Sequence, residues 1–139
     1  MRNSKPILLV EDDSVDAIMV KRALESLKVT NPLVTLTDGE EALDYLGNHN
    51  DKQPCIILLD LNLPKMDGLE FLKVIKADNE LRKIPIVALT TSDDKRDITE
   101  SFKHGIAGYM VKALDSKGFV ETMRIIDQYW TLSELPNGD

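Results

Sequence analysis

CIILLDLNLPKMDG, residues Cys55 to Gly68, is the stretch on which the choice of fold class turns. Its first five residues, Cys55–Leu59, form a continuous apolar run, too short for a typical helix and suited to a strand buried on both faces. The run stops at Asp60. A loop ending at Pro64 follows, and Met66-Asp67-Gly68 leads into a helical pattern. A carboxylate at the carboxyl end of a buried parallel strand stands where open α/β sheets bind their ligands. Taken alone, an Asp after a strand is more often only a turn former. What ends the other strands changes that weighting.

Upstream, Pro6–Val10 reads as a short apolar strand ending in Glu11-Asp12-Asp13-Ser14. Val20, Ala23, Leu24 and Leu27 then fall at i, i+3, i+4, i+7, an amphipathic helix with Asp13 or Ser14 as its N-cap. Asn31-Pro32 breaks it, and Leu33–Thr37 alternates like a half-exposed edge strand. Asp38-Gly39 turns into a second helix with Ala42, Leu43 and Leu46 inward, closing near Gly47-Asn48. Downstream of Cys55–Leu59, a helix from about Asp67 to Asp78 uses Leu69, Leu72 and Ile75. Ile84–Leu89 is a fourth strand, followed by Thr90-Thr91-Ser92. Asp93-Asp94 favour the dipole of a fourth helix with Ile98 and Phe102 as its large apolar residues and Gly105 as its cap. Ala107–Val111 is a fifth strand, stopping at Lys112. A last helix, about Ser116 to Leu132, carries Phe119, Met123, Ile126 and Trp130 on one face. Strand and helix alternate five times with short connections, which predicts a parallel sheet covered on both faces.

The chain has 139 residues, enough for one domain with one core. A single domain over 1–139 is expected, with a C-terminal tail at about 133–139 and no output domain. The net charge of −7 argues against a general phosphate-seeking surface and so against nucleic acid, but suits a site that takes a cation. The single Cys55 lies inside an apolar run and reads as a structural thiol. His49 and His104 have no ligand-spaced neighbours, which excludes an ordinary zinc site. The run Ile7 to Val10 is too short for a signal peptide or a membrane span, and the cytoplasm is the expected compartment.

The strand ends gather the chemistry. The first gives Glu11 and Asp12, the third Asp60, the fourth Thr90 and the fifth Lys112. Neighbouring strands lie about 4.8 Å apart, so Asp12 and Asp60 crowd like charges together. A hard divalent ion offsets such crowding, and Mg²⁺ takes one or two carboxylates, waters and phosphate oxygens. A nucleophilic carboxylate beside Mg²⁺, faced by a lysine and a hydroxyl, has the parts needed for an aspartyl phosphate.

ILLVEDD, IILLDLNLPKMDG, IVALTTSDD and GYMVK resemble, in order and spacing, the motifs of response-regulator receiver domains of two-component signalling. The resemblance covers nearly the whole chain. It implies a flavodoxin-like, doubly wound α/β fold: a five-stranded parallel sheet of order 2-1-3-4-5 with five helices. It implies that Asp60 accepts a phosphoryl group from a sensor histidine kinase or phosphotransfer protein. Glu11 and Asp12 are then the acidic pair, Asp12 a direct Mg²⁺ ligand and Glu11 acting largely through water. Asp60 and the backbone carbonyl of Asn62 are implied as further metal ligands. Thr90 is expected to turn toward the phosphoryl group and Lys112 to pair with it. Tyr109 occupies the switch-aromatic position and is expected to move inward with Thr90, making the fourth helix, fifth strand and fifth helix the output face. Asn62 and Ser92 stand where the family tunes phosphoryl lifetime, and neither is bulky or strongly charged, so an ordinary lifetime is expected. One departure is Ala113, where the family has a proline joined by a cis bond. Before a non-proline residue a cis bond costs about 3 kcal/mol, so a trans bond is expected.

Beside its inward face the last helix carries a second stripe, Ile125, Tyr129 and Leu132, followed by Leu135-Pro136, which predicts a homodimer through this helix. The tail WTLSELP also resembles small receivers paired with phytochrome-type histidine kinases. The leading functional expectation is thus a stand-alone receiver that switches a protein-binding surface and is not an enzyme beyond assisting its own phosphoryl transfer and autodephosphorylation. The alternative is a Mg²⁺-dependent phosphotransferase or phosphatase with an Asp nucleophile, disfavoured because no second acid stands two residues after Asp60. A flavin or dinucleotide carrier is disfavoured by acids standing where a glycine-rich loop would cradle phosphate.

Overall fold

The structure, a computed structural model, describes residues 5–47, 53–113 and 115–132, with side chains as far as residue 129. In chain order its elements are β1 (Ile7–Val10), α1 (Ser14–Ser26), β2 (Leu33–Leu36), α2 (Gly39–Gly47), β3 (Ile56–Leu59) and α3 (Gly68–Ala77). A 3₁₀ turn (Leu81–Lys83) precedes β4 (Ile86–Thr90), α4 (Lys95–Lys103), β5 (Gly108–Val111) and α5 (Ser116–Leu132). The strands pair in parallel in the order β2-β1-β3-β4-β5, so β2 and β5 are the edges.

The continuous apolar runs follow from burial on both sides of the sheet. The two-residue period of a strand sends alternate side chains to opposite faces. Leu8, Val10, Ile57, Leu59, Ile86 and Ala88 meet Leu46, Phe71, Leu72 and Ile75 on the side of α2 and α3. Ile7, Leu9, Ile56, Leu58, Val87 and Leu89 meet Val20, Leu24, Phe119, Met123 and Ile126 on the side of α1 and α5. Cys55 is a buried free thiol in the second cluster.

Local sequence explains the helix ends. The Asp13 carboxylate accepts the N–H groups of Val15 and Asp16 and so caps α1. Asp67 caps α3 and Asp94 caps α4 in the same way. After α4 the chain turns through Gly105 at φ +89°, a left-handed conformation that favours glycine.

Several helix faces differ from the sequence expectation. In α3 the inward residues are Phe71, Leu72 and Ile75, and Leu69 is half-buried at the rim. In α4 Ser101 is the buried residue, while Phe102 is 51% exposed. The fourth strand starts at Ile86 because Leu81–Lys83 coils first. Trp130 and Leu132 lie outside the described side chains, and Asn48, His49, Leu135 and Pro136 outside the described residues. Among the described residues no helix is long and apolar enough to cross a membrane.

Candidate functional site: an acidic pocket closed by Lys112

The strand alternation that builds the core also aims the site. Glu11 continues the line of Ile7 and Leu9, and Asp60 that of Ile56 and Leu58, both toward α1 and α5. Lys112 continues the line of Met110 on the same side. Backbone hydrogen bonds extend the ladder past the strand ends and hold these residues in place. The Asp60 N–H donates to the Val10 carbonyl at 3.0 Å, and the Lys112 N–H to the Thr90 carbonyl at 2.7 Å.

The resulting cluster is compact. Carboxylate oxygens of Glu11, Asp12 and Asp60 lie within 4.8 Å of one another. Glu11 and Asp60 are buried, and Asp12 is exposed at the mouth. The Lys112 ammonium lies 2.5 Å from Glu11 Oε1 and 3.2 Å from Asp60 Oδ2. It also lies 2.8 Å from Asp16 Oδ2, in the first turn of α1. Asp16 is a member of the site that the sequence reading missed. The available signal was its spacing: it lies one helical turn beyond the Asp13 cap, on the helix that covers this side of the sheet.

Burial pushes the Glu11 carboxyl up to about 7, and the neighbouring charge of Asp60 adds to this against the hydrogen bond from Lys112. Burial also works against the charge on Lys112. There the hydrogen bonds to Asp16 and Glu11 outweigh it, and with the charge of Asp60 they raise the lysine above its ordinary value. Three carboxylates face one ammonium, and Asp12 stands beside two of them, which leaves negative charge uncompensated. The hard oxygen donors of Glu11, Asp12 and Asp60 fit a divalent cation.

The remaining expected residues sit around this cluster. The Asn62 N–H donates to Asp60 Oδ1 at 3.1 Å and fixes the carboxylate orientation. Thr90 is fully buried at the end of β4, in line with Ala88 and so on the opposite face from Asp60. Its Oγ1 accepts the Ser92 N–H at 3.4 Å. The Tyr109 hydroxyl donates to the Ser92 carbonyl at 2.8 Å, and Ser92 Oγ donates to Asp97 Oδ2 at 2.6 Å. The loop after β4 is thereby joined to Tyr109 on β5 and to the first turn of α4. The Lys112–Ala113 peptide bond is trans, like every other bond among the described residues.

Residues 7–124 match the response regulator receiver domain family, most of the chain and all of the site. The chain belongs to that family. Among curated relatives it is 41% identical to the probable methanogenesis regulatory protein FilR2 of Methanothrix harundinacea, over 89% of this chain and 82% of that protein. It is 37% identical to the response regulator Rcp1 of Synechocystis, over 91% of this chain and 88% of that one. The Mn²⁺-bound form of Rcp1 superposes with a TM-score of 0.86 at 36% identity, covering 95% of this chain and 99% of that one. The phosphorylated cyanobacterial phytochrome response regulator RcpA superposes with a TM-score of 0.90 at 37% identity, covering 96% and 99%. The receiver domain is thus a two-component response regulator with the flavodoxin-like fold, and its acidic pocket can hold a divalent metal. Receiver domains act with histidine kinases or phosphotransfer proteins, and the family is not classed as one of enzymes.

Proposed function

We propose that this receiver accepts a phosphoryl group on Asp60 and uses it to switch a protein-binding surface. The observation that carries this reading is the Asp60 carboxylate, buried at the end of β3 and sharing one pocket with Glu11, Asp12 and Lys112. Asp60 attacks the phosphorus of a phosphohistidine, the P–N bond breaks, and an acyl phosphate forms on the aspartate. Asn62 orients the attacking carboxylate through its N–H. Lys112 offers an N–H to the transferred group, and Thr90 turns toward it from the opposite face of the sheet. Tyr109 follows Thr90, because both contact Ser92. Glu11, Asp12, Asp60 and the backbone carbonyl of Asn62 would hold Mg²⁺, which would neutralise charge on the phosphoryl oxygens. Autodephosphorylation by water in the same pocket resets the switch.

The donor is a histidine kinase of the phytochrome type, a reading supported by the likeness to RcpA and Rcp1. The receiver works in the cytoplasm as a homodimer through α5, without nucleic acid or membrane. Incubation with acetyl phosphate and Mg²⁺, followed by intact mass, tests the core of this reading. One added phosphoryl group is expected on the native chain and none on Asp60→Asn. Equal labelling of the two would overturn it.

A further inference from the structure

The Lys112 ammonium has three N–H donors and no acceptor, and each donor already faces a carboxylate. Its partners are Glu11 at 2.5 Å, Asp16 at 2.8 Å and Asp60 at 3.2 Å. With the lysine side chain only 4% exposed, water has little access to it. A phosphoryl oxygen on Asp60 can take the donor that now faces that carboxylate, but the ammonium can swing fully to it only if a second partner lets go.

The three partners differ in what release costs them. The Glu11 side chain is 1% exposed, so water cannot take the lysine's place there. Its second oxygen also accepts the Asp13 N–H at 3.1 Å, which pins the carboxylate. Asp60, the most distant of the three at 3.2 Å, loses its charge on forming the acyl phosphate and passes the lysine N–H it accepts to a phosphoryl oxygen, so the contest for the lysine is left to Glu11 and Asp16. The Asp16 side chain is 22% exposed and stands in the first turn of α1, where the helix dipole favours its charge and water can replace the lysine.

We infer that Asp16 is the positioning residue that releases Lys112 when a phosphoryl group arrives on Asp60, and so sets how tightly the site holds that group. Asp16 contacts no reacting atom. It competes with the phosphoryl oxygens for the lysine. The inference rests on the phosphoacceptor reading above, and it separates from that reading by experiment.

Beryllofluoride with Mg²⁺, titrated by calorimetry, is the probe. The native chain is expected to bind one equivalent and Asp60→Asn none. Asp16→Asn is expected to bind about fivefold tighter, the order of a partly exposed ion pair removed from the competition. In a Lys112→Gln background the same Asp16→Asn change is expected to have an effect of under about twofold, because the coupling runs through the lysine. An equal gain in both backgrounds would reduce Asp16 to a through-space charge and overturn the inference, as would no gain in either. Asp16→Ser carries the same comparison if the asparagine variant does not fold. A native chain that binds no beryllofluoride would instead sink the phosphoacceptor reading, and the inference with it.

Discussion

At Gly68 one hydrogen in place of a methyl group decides whether the pocket can form. A Cβ there would stand 2.5 Å from Leu61 Cα and 2.7 Å from the Asp60 carbonyl oxygen. The N-terminus of α3 therefore rests directly on the backbone that carries the phosphoacceptor candidate, and the Gly68 N–H donates to the Leu61 carbonyl at 2.9 Å. Gly68→Ala must push α3 away or displace that backbone. Urea unfolding is expected to show a loss of about 2 kcal/mol, the usual scale of an overpacking change. Mg²⁺ affinity should fall with it, because Asp60 moves relative to Glu11 and Asp12. Unchanged values for both would mean that the loop yields freely.

Among the helices α4 is seated differently from its neighbours. α3 buries Phe71, Leu72 and Ile75, whereas α4 buries Ser101. Among the described residues the Ser101 hydroxyl is buried without a hydrogen-bond partner. An unpaired buried hydroxyl costs stability, and alanine is also the better helix former. Ser101→Ala is expected to stabilise the domain by about 1 kcal/mol, a rise in Tm of roughly 3 °C. A lower Tm in differential scanning calorimetry would show that the hydroxyl supports the native state. With little apolar surface fastening α4, its polar ties to the loop after β4 carry more of its position, above all Ser92 to Asp97. The same loop accepts the Tyr109 hydroxyl at the Ser92 carbonyl, so α4 and β5 share one set of polar contacts.

For the whole molecule the apolar face open to a partner is beside β5, one of the two edge strands. An apolar hollow of about 220 Å³ lies between that strand and α5, lined in part by Met110, Ile125, Ile126 and Tyr129. Ile125 is 50% and Tyr129 59% exposed. The expected dimer covers this face with a second copy. Sedimentation velocity should find the native chain as two copies and Ile125→Asp as one. A sedimentation coefficient unchanged by that substitution would place the contact elsewhere.

The elements, their alternation and the residues that end each strand were legible in the sequence. A strand has a period of two residues and an abrupt end, so a run such as Ile56–Leu59 stopping at Asp60 leaves little freedom in what faces where. Glu11 and Lys112 were readable for the same reason. Helix faces were less legible, because each residue turns a helix by about 100° and packing alone sets its rotation. That is why Phe71 faces inward rather than Leu69, and Ser101 rather than Phe102. It is also why Asp16 escaped notice. Its partner Lys112 lies 96 residues away in the chain, and only the seating of α1 against the sheet brings the two charges within 2.8 Å.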